Sequence, residues 1–181
     1  MRLAAFQNTE YDSGVALRPK DVVIALKLAV GPGSQWTYED LGTSLGMSPS
    51  EVHGGVRRLI EARLLTPGRQ VVTESLLEFL VHGIRYAFPP KLGFKVRGVP
   101  TAHAAPPLAS MIESEADDPP VWPSPDGTVR GHSFAPLHRS VPAAAQRDPA
   151  LHEVLALVDA IRGGRARERE IAAKLLAERL R

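Results

Sequence analysis

The stretch WTYEDLGTSLGMSPSEVHGGVRRLIEARLL, residues 36–65, decides how the chain is read. Thr37 is placed to N-cap a helix, and Asp40 three residues on can return the bond, an approximate capping box. Leu41 and Leu45 fall on one side of that helix. Gly46 ends it, where a left-handed residue costs least. Ser48 then offers a second N-cap, Pro49 takes the first helical position, and Glu51 is the reach-back partner. In the second helix Val52, Val56, Leu59, Ile60 and Arg63 recur at helical spacing, a buried stripe with one snorkelling end. After Leu64 and Leu65, TPGRQ followed by VVT predicts a short hairpin. Two caps, a glycine turn and matched apolar stripes predict a helix-turn-helix, and the hairpin makes it winged.

On the N-terminal side, PKDVVIALKLAV (19–30) predicts the first helix, with proline in its first turn and Val22, Val23, Leu26 and Val30 as a stripe. GPGS (31–34) breaks it. Residues 1–17 read as an extended lead-in carrying Phe6, Tyr11 and Val15. Trp36 precedes the Thr37 cap, the position of a hydrophobic staple, and is assigned to core packing. On the C-terminal side, Thr73 is placed to cap a long amphipathic helix with Leu76, Leu77, Leu80, Ile84 and Ala87 at helical spacing and Phe79 adding bulk. Phe88-Pro89-Pro90 ends that helix. It is either a dimer contact or one more helix packed on its own domain.

Ten of the sixteen prolines fall between Phe88 and Val141, the composition of an irregular segment or linker. The same segment holds Phe94, Val99, Leu108, Trp122 and Phe134, more large apolar groups than a plain tether carries. It is therefore expected to be an ordered, loop-rich layer wrapped over the helices, with GFKVRGV and DGTVRGHSF as short strands around glycines. The acidic run ESEADDPP (113–120) is expected to be mobile. The chain returns to helix with DPALHEVLALVDAIR, capped by Asp148 with Pro149 first. A break at Gly163-Gly164 follows, then a last helix with Ile171, Leu175 and Leu176 on one face. Together these two helices predict an antiparallel hairpin for dimerisation or partner binding. The expected architecture is mainly α with a small β-wing: a winged domain over 1–87, the Pro-rich layer over 88–140 and the helical hairpin over 141–181.

With 181 residues the chain can bury one good core and a small second one. No apolar run approaches the roughly 20 residues of a membrane span, and MRLAAFQNTEYDSG lacks the apolar centre of a secretion signal. There is no cysteine, so disulfides, thiolate metal sites and cysteine nucleophiles are excluded. A bacterial cytoplasmic protein is the simplest reading. The net charge is only +2, and residues 1–75 hold eight basic and eight acidic side chains. A nucleic-acid contact must therefore come from locally placed arginines and not from a broad basic field. The six histidines show no paired ligand spacing on one helix; His132 and His138 with Asp126 are assigned surface or capping roles rather than a metal. No GxGxxG, P-loop or GxSxG pattern occurs. Neither a catalytic constellation nor a cofactor site is expected.

The segments TYEDLGTSLGMSPSEVHGGVRRLIEARLL and TPGRQVV resemble the winged helix-turn-helix regulators of bacteria, such as the MarR-like proteins, over about residues 19–87. The resemblance implies a sequence-specific DNA-binding transcriptional regulator whose second helix (48–64) enters the major groove while the wing (65–72) touches backbone or minor groove. On the helix face opposite the buried stripe lie Ser50, His53, Gly54 and Arg57, with Arg58 to one side. Ser48 and Ser50 suit phosphate contact at a helix N-terminus, with Thr37 at the cap of the preceding helix. Thr66, Arg69 and Gln70 are the wing candidates. Gly54 stands where such regulators often carry a long polar or basic side chain, leaving Arg57 more of the readout. Gly54-Gly55 mid-helix costs about 1 kcal/mol per glycine against alanine, a cost offset by close approach to DNA or to another helix. Double-stranded DNA and a second copy of the chain are the expected partners, since one such helix covers only half of a palindromic site. Repression is the expected mode. Two alternatives stay open. The nearly one hundred residues after the winged segment can grip a protein encoded by a neighbouring gene, as in an autoregulating antitoxin. A pocket around Trp122 and Phe134 can hold a small effector.

Overall fold

The computed structural model describes residues 16–31, 36–112 and 118–181. The lead-in at 1–15, the break at 32–35 and the acidic residues 113–117 lie outside them. The described chain is mixed α/β: eight α-helical segments and one three-stranded sheet.

Helix α1 (Pro19–Val30) starts as its sequence predicts, with proline in the first turn and Asp21 Oδ2 accepting from the Arg18 N–H at 2.8 Å. Val22 through Leu26 are all buried. A helix buried through more than one full turn is enclosed and not laid on a surface, and α1 packs against α3 on one side and α7 on another. Helices α2 (Tyr38–Leu45) and α3 (Pro49–Glu61) each begin with a reciprocal capping box, Thr37 with Asp40 and Ser48 with Glu51. Gly46, at φ 65°, makes the turn between them. Val52, Val56 and Leu59 are fully buried in the predicted stripe; Arg63 is exposed beyond the helix end, where it takes a left-handed φ of 60°. A single antiparallel bridge, Leu65 to Val71, closes the hairpin.

The next helix differs from its prediction. Val72, not Thr73, is the N-cap, and the run is not one regular helix: α4 (Thr73–Glu78) passes through a π turn at Phe79–Gly83 into α5 (Ile84–Ala87). Gly83 lies under the Phe79 ring, where an added Cβ would meet Cδ2 at 3.0 Å. The weak helix propensity of glycine and the bulk of the phenyl group together account for the bulge. Leu76, Leu80 and Ile84 still reach the core.

Within the Pro-rich segment the two glycine-centred pieces are strands, as read, and a third joins them. Strand β1 (Leu92–Pro100) pairs antiparallel with β3 (Val129–Phe134) and, at its inner end, with β2 (Pro120–Pro123); β2 and β3 run parallel. The three ladders close on one another. Such tight closure needs backbone without side chains. A Cβ on Gly98 would stand 2.2 Å from the Trp122 carbonyl oxygen, and one on Gly131 1.9 Å from that of Pro119.

Three helices, not two, complete the chain: α6 (Val141–Arg147), α7 (Pro149–Gly163) and α8 (Ala166–Leu180). Asp148 ends α6 and caps α7, accepting from the Leu151 N–H at 3.1 Å. The predicted α7–α8 hairpin is present, latched by Arg179 at the end of α8 to Glu153 near the start of α7, 2.9 Å. Inside this half sits Asp159, 2% exposed. Its Oδ2 accepts from Thr101 Oγ1 at 2.9 Å and Trp122 Nε1 at 2.6 Å, while Oδ1 takes Arg162 Nη1 at 2.5 Å. Arg162 also donates to the carbonyl oxygens of Phe88 and Ala135. One carboxylate–guanidinium centre thus gathers α5, both ends of the sheet layer and α7. Burial pushes the Asp159 carboxyl up, and Arg162, Trp122 and Thr101 pull it back. Trp122 and Phe134, considered above as walls of an effector pocket, are core residues at 1% and 3% exposure. The apolar core runs unbroken from Val22 in α1 to Leu180 in α8.

Candidate nucleic-acid interface

The outer row of α3 is open to solvent. Ser50, His53 and Arg57 are exposed and Gly54 half-buried, and Arg57 is 67% exposed with only a loose contact to Glu61 at 3.9 Å. An exposed pair of that length contributes about 0–1 kcal/mol and leaves the guanidinium available.

Arg58 is different, and this corrects its place among the outward candidates. It is 8% exposed and grips Asp21 of α1 with two parallel bonds, Nε to Oδ2 at 2.7 Å and Nη2 to Oδ1 at 2.6 Å. The fork of a guanidinium matches a carboxylate in this way, and the pair holds Arg58 firmly charged. Its neighbour Gly55 explains half of the glycine pair. An added Cβ there would lie 2.5 Å from Ile24 Cδ1 and 3.0 Å from Asp21 Oδ1, so glycine is what allows α3 to come this close to α1. A Cβ on Gly54 would meet only Arg58 Nη1, at 3.3 Å, the nitrogen not bonded to Asp21.

Thr37 and Ser48 are both exposed, yet each hydroxyl is occupied as a cap. Thr37 Oγ1 donates to Asp40 Oδ2 at 2.6 Å, and Ser48 Oγ lies 3.1 Å from Glu51 Oε2. The Thr37 hydroxyl and N–H hold the Asp40 carboxyl below its usual range. Glu51 is lowered to about 2, first by its 2.8 Å bond from Lys20 Nζ and then by the Ser48 N–H. Both carboxylates are therefore charged at neutral pH. They stand where a phosphate at these two helix starts would approach, which weakens Thr37 and Ser48 as phosphate ligands relative to Ser50.

In the hairpin, Thr66 N–H donates to the Gln70 carbonyl oxygen at 2.8 Å, and Thr66 Oγ1 accepts from the Gln70 N–H at 3.1 Å. These bonds commit Thr66 to the turn and leave the Gln70 side chain exposed. Arg69 has a left-handed φ of 65°, and its guanidinium lies over two rings, 5.1 Å from the Trp36 centroid and 5.6 Å from that of Tyr38. Tyr38 in turn meets the His53 ring edge-on at 5.1 Å. A continuous stack therefore runs Trp36, Arg69, Tyr38, His53, joining the hairpin, the start of α2 and the outer row of α3. Trp36 packs half-buried against the core, in keeping with its assignment to core packing, and Tyr38, which the sequence reading does not single out, packs there too. The signal for Tyr38 is Trp-x-Tyr straddling a helix cap, where both rings pack on the core from beside the N-terminus. Each cation–π contact at such an exposed site contributes about 0.5–1 kcal/mol.

His132 and His138, considered above as surface or capping groups, have local partners. His132 Nδ1 lies 3.3 Å from the Gly93 carbonyl oxygen and Nε2 3.7 Å from Asp118; His138 Nδ1 lies 2.8 Å from Ser140 Oγ. No group of three or more His, Asp or Glu side chains is placed to hold a metal ion among the described residues. None of the described helices is long and apolar enough to cross a membrane. Chemically, the α3–hairpin surface offers hydrogen-bond donors, the exposed arginines Arg57 and Arg69, and aromatic rings in contact. No protein-family model, curated protein or solved structure matches this chain.

Proposed function

We propose that the chain is a sequence-specific DNA-binding transcriptional regulator of the winged helix-turn-helix kind, acting as a repressor, with α3 in the major groove and the hairpin on the backbone or minor groove. One observation carries this reading: the Trp36–Arg69–Tyr38–His53 stack, which sets the cation of the hairpin on the same surface as the outer row of α3. A recognition helix with a wing needs that coplanarity, because base edges and adjacent phosphates are met together. Arg57 is the candidate for bidentate pairing with guanine, worth about 1–3 kcal/mol of discrimination. Ser50 and His53 flank it, and Gly54 lets the helix backbone approach the groove. Arg69 and Gln70 take the phosphate or minor-groove role. A homodimer on a palindromic operator follows from the half-site that one α3 covers.

Fluorescence anisotropy with a labelled duplex from the gene's own upstream region tests this. Binding that is tighter than to a scrambled duplex and weakens with salt supports the reading. Equal affinity for both duplexes rejects it. The second reading is a protein-interaction module with a partner encoded nearby. It is favoured by one observation, the exposed apolar side chains Tyr86, Leu92 and Phe94 outside the helix-turn-helix region. Co-purification with the neighbouring gene product would support it.

A further inference from the structure

Strand β1 starts outside the core. Leu92 is 71% and Phe94 92% exposed, whereas Val99, five residues beyond Phe94, is 5% exposed. One edge of β1 is paired with β3 along the strand; β2 takes the other edge only at Gly98–Pro100. From Leu92 to Val96 that second edge carries no strand among the described residues, and the Arg97 carbonyl oxygen accepts from the Ser124 N–H at 3.2 Å. A free strand edge bearing a bare phenylalanine is a template for another strand unless something blunts it.

The charges alongside are equally unbalanced. Arg97 and Arg130 sit directly opposite each other across β1 and β3, both exposed, and neither has an ion pair among the described residues. Like charges in that position repel. Lys95, two residues away, is by contrast paired with Asp118 at 2.6 Å. An open edge, two apolar side chains and two unneutralised guanidinium groups define a complementary occupant: extended backbone, apolar residues in alternation, and carboxylates.

We propose that the outer edge of β1, Leu92–Val96, docks an extended acidic segment of another protein. That segment adds a strand, sets its apolar residues over Leu92 and Phe94 and lays carboxylates on Arg97 and Arg130. A second copy of this chain fits less well. A second copy would bring the same basic edge, LGFKVR with no carboxylate, and so leave Arg97 and Arg130 unneutralised. A nucleic acid would satisfy the arginines but leave the backbone edge unpaired and Leu92 without an apolar neighbour. The site shares no residue with α3 or the hairpin, so it stands or falls separately from the DNA reading.

The test is selection from a random-peptide display library on the full chain, counter-selected against Phe94→Ser, Arg97→Gln, Arg130→Gln in one variant. These substitutions lie on exposed positions, and an unchanged melting temperature verifies the fold. The expected result is enrichment of acidic sequences with alternating apolar residues. A synthesised member should bind the wild type and lose affinity by roughly tenfold or more on the triple variant. Three results overturn the proposal. Selected peptides carry no net negative charge, or bind both proteins equally. Single-stranded oligothymidylate displaces them through the same residues. Sedimentation shows that the triple variant turns a dimer into a monomer, which assigns the edge to a second copy.

Discussion

In the N-terminal half a buried carboxylate, Asp21, holds Arg58 of another helix; in the C-terminal half Asp159 holds Arg162 one turn along its own. The first pair is a hinge pin between two elements. It fixes α3 against α1 at the distance Gly55 permits, and so sets how Arg57, one residue earlier, faces outward. The second is a hub, collecting Thr101, Trp122, Phe88 and Ala135 from four separate stretches of chain. Buried ion pairs add little net stability over a well-packed apolar alternative, but removing one partner is costly because the other stays buried and charged. The two halves therefore use the same chemistry for different ends, orientation in one and assembly in the other.

The comparison is broken first by removing the acids. Asp159→Ala is expected to cost about 3–5 kcal/mol, because Arg162 is left uncompensated and Trp122 and Thr101 lose their acceptor. Asp21→Ala is expected to cost less, about 2–3 kcal/mol, since Arg58 is nearer the surface and can turn to water. Urea unfolding of both variants measures this, and equal losses would erase the distinction between hub and pin. The glycines sharpen it further. Gly55→Ala is expected to destabilise by about 1–3 kcal/mol through overpacking on Ile24. Gly54→Ala is expected to stabilise by up to about 1 kcal/mol through helix propensity while weakening DNA binding, and a matched pair of melting curves reads the opposite signs.

The smallest effect is electrostatic. Burial lowers the pKa of His138, beside the start of α6, and a weak 3.4 Å contact from the Ser140 N–H to Nδ1 agrees with a neutral ring. With the folded value below the unfolded one, the unfolded chain binds more protons in acid. Stability is then full above the ordinary imidazole value of about 6.5 and declines as pH falls through it. His138→Gln should flatten that part of the pH–stability curve, and an unchanged slope would show that another group titrates there.

Much of the first half was legible because its signals are local. Capping boxes, the Gly46 turn and the α3 stripe are set by residues three or four apart, and each was found where the spacing put it except Arg63, which falls beyond the helix end. The glycines of the Pro-rich stretch marked two strands for the same reason. What escaped were pairings across long separations. Arg58 looked outward because Glu61, three residues on, offers it a local surface partner; the acid it grips lies 37 residues earlier. Asp159 sat in an ordinary amphipathic pattern, and its donors Thr101 and Trp122 come from a layer whose folding its composition does not specify. Helix α6 was missed since VPAAAQR has a proline and small residues with no stripe. The π turn escaped because Phe79 and Gly83 fit regular helix spacing until their packing is seen.

Arg57 and Arg69 give the most direct test of the DNA reading. Anisotropy titrations on the upstream and scrambled duplexes, over a salt series, would compare Arg57→Ala, Arg69→Ala and wild type. A base-reading Arg57 predicts a loss of about 1–3 kcal/mol on the upstream duplex with little change on the scrambled one. A backbone-contacting Arg69 predicts uniform weakening on both and a salt slope shallower by about 0.9. If both variants bind both duplexes as the wild type does, α3 and the hairpin are not a DNA-reading surface.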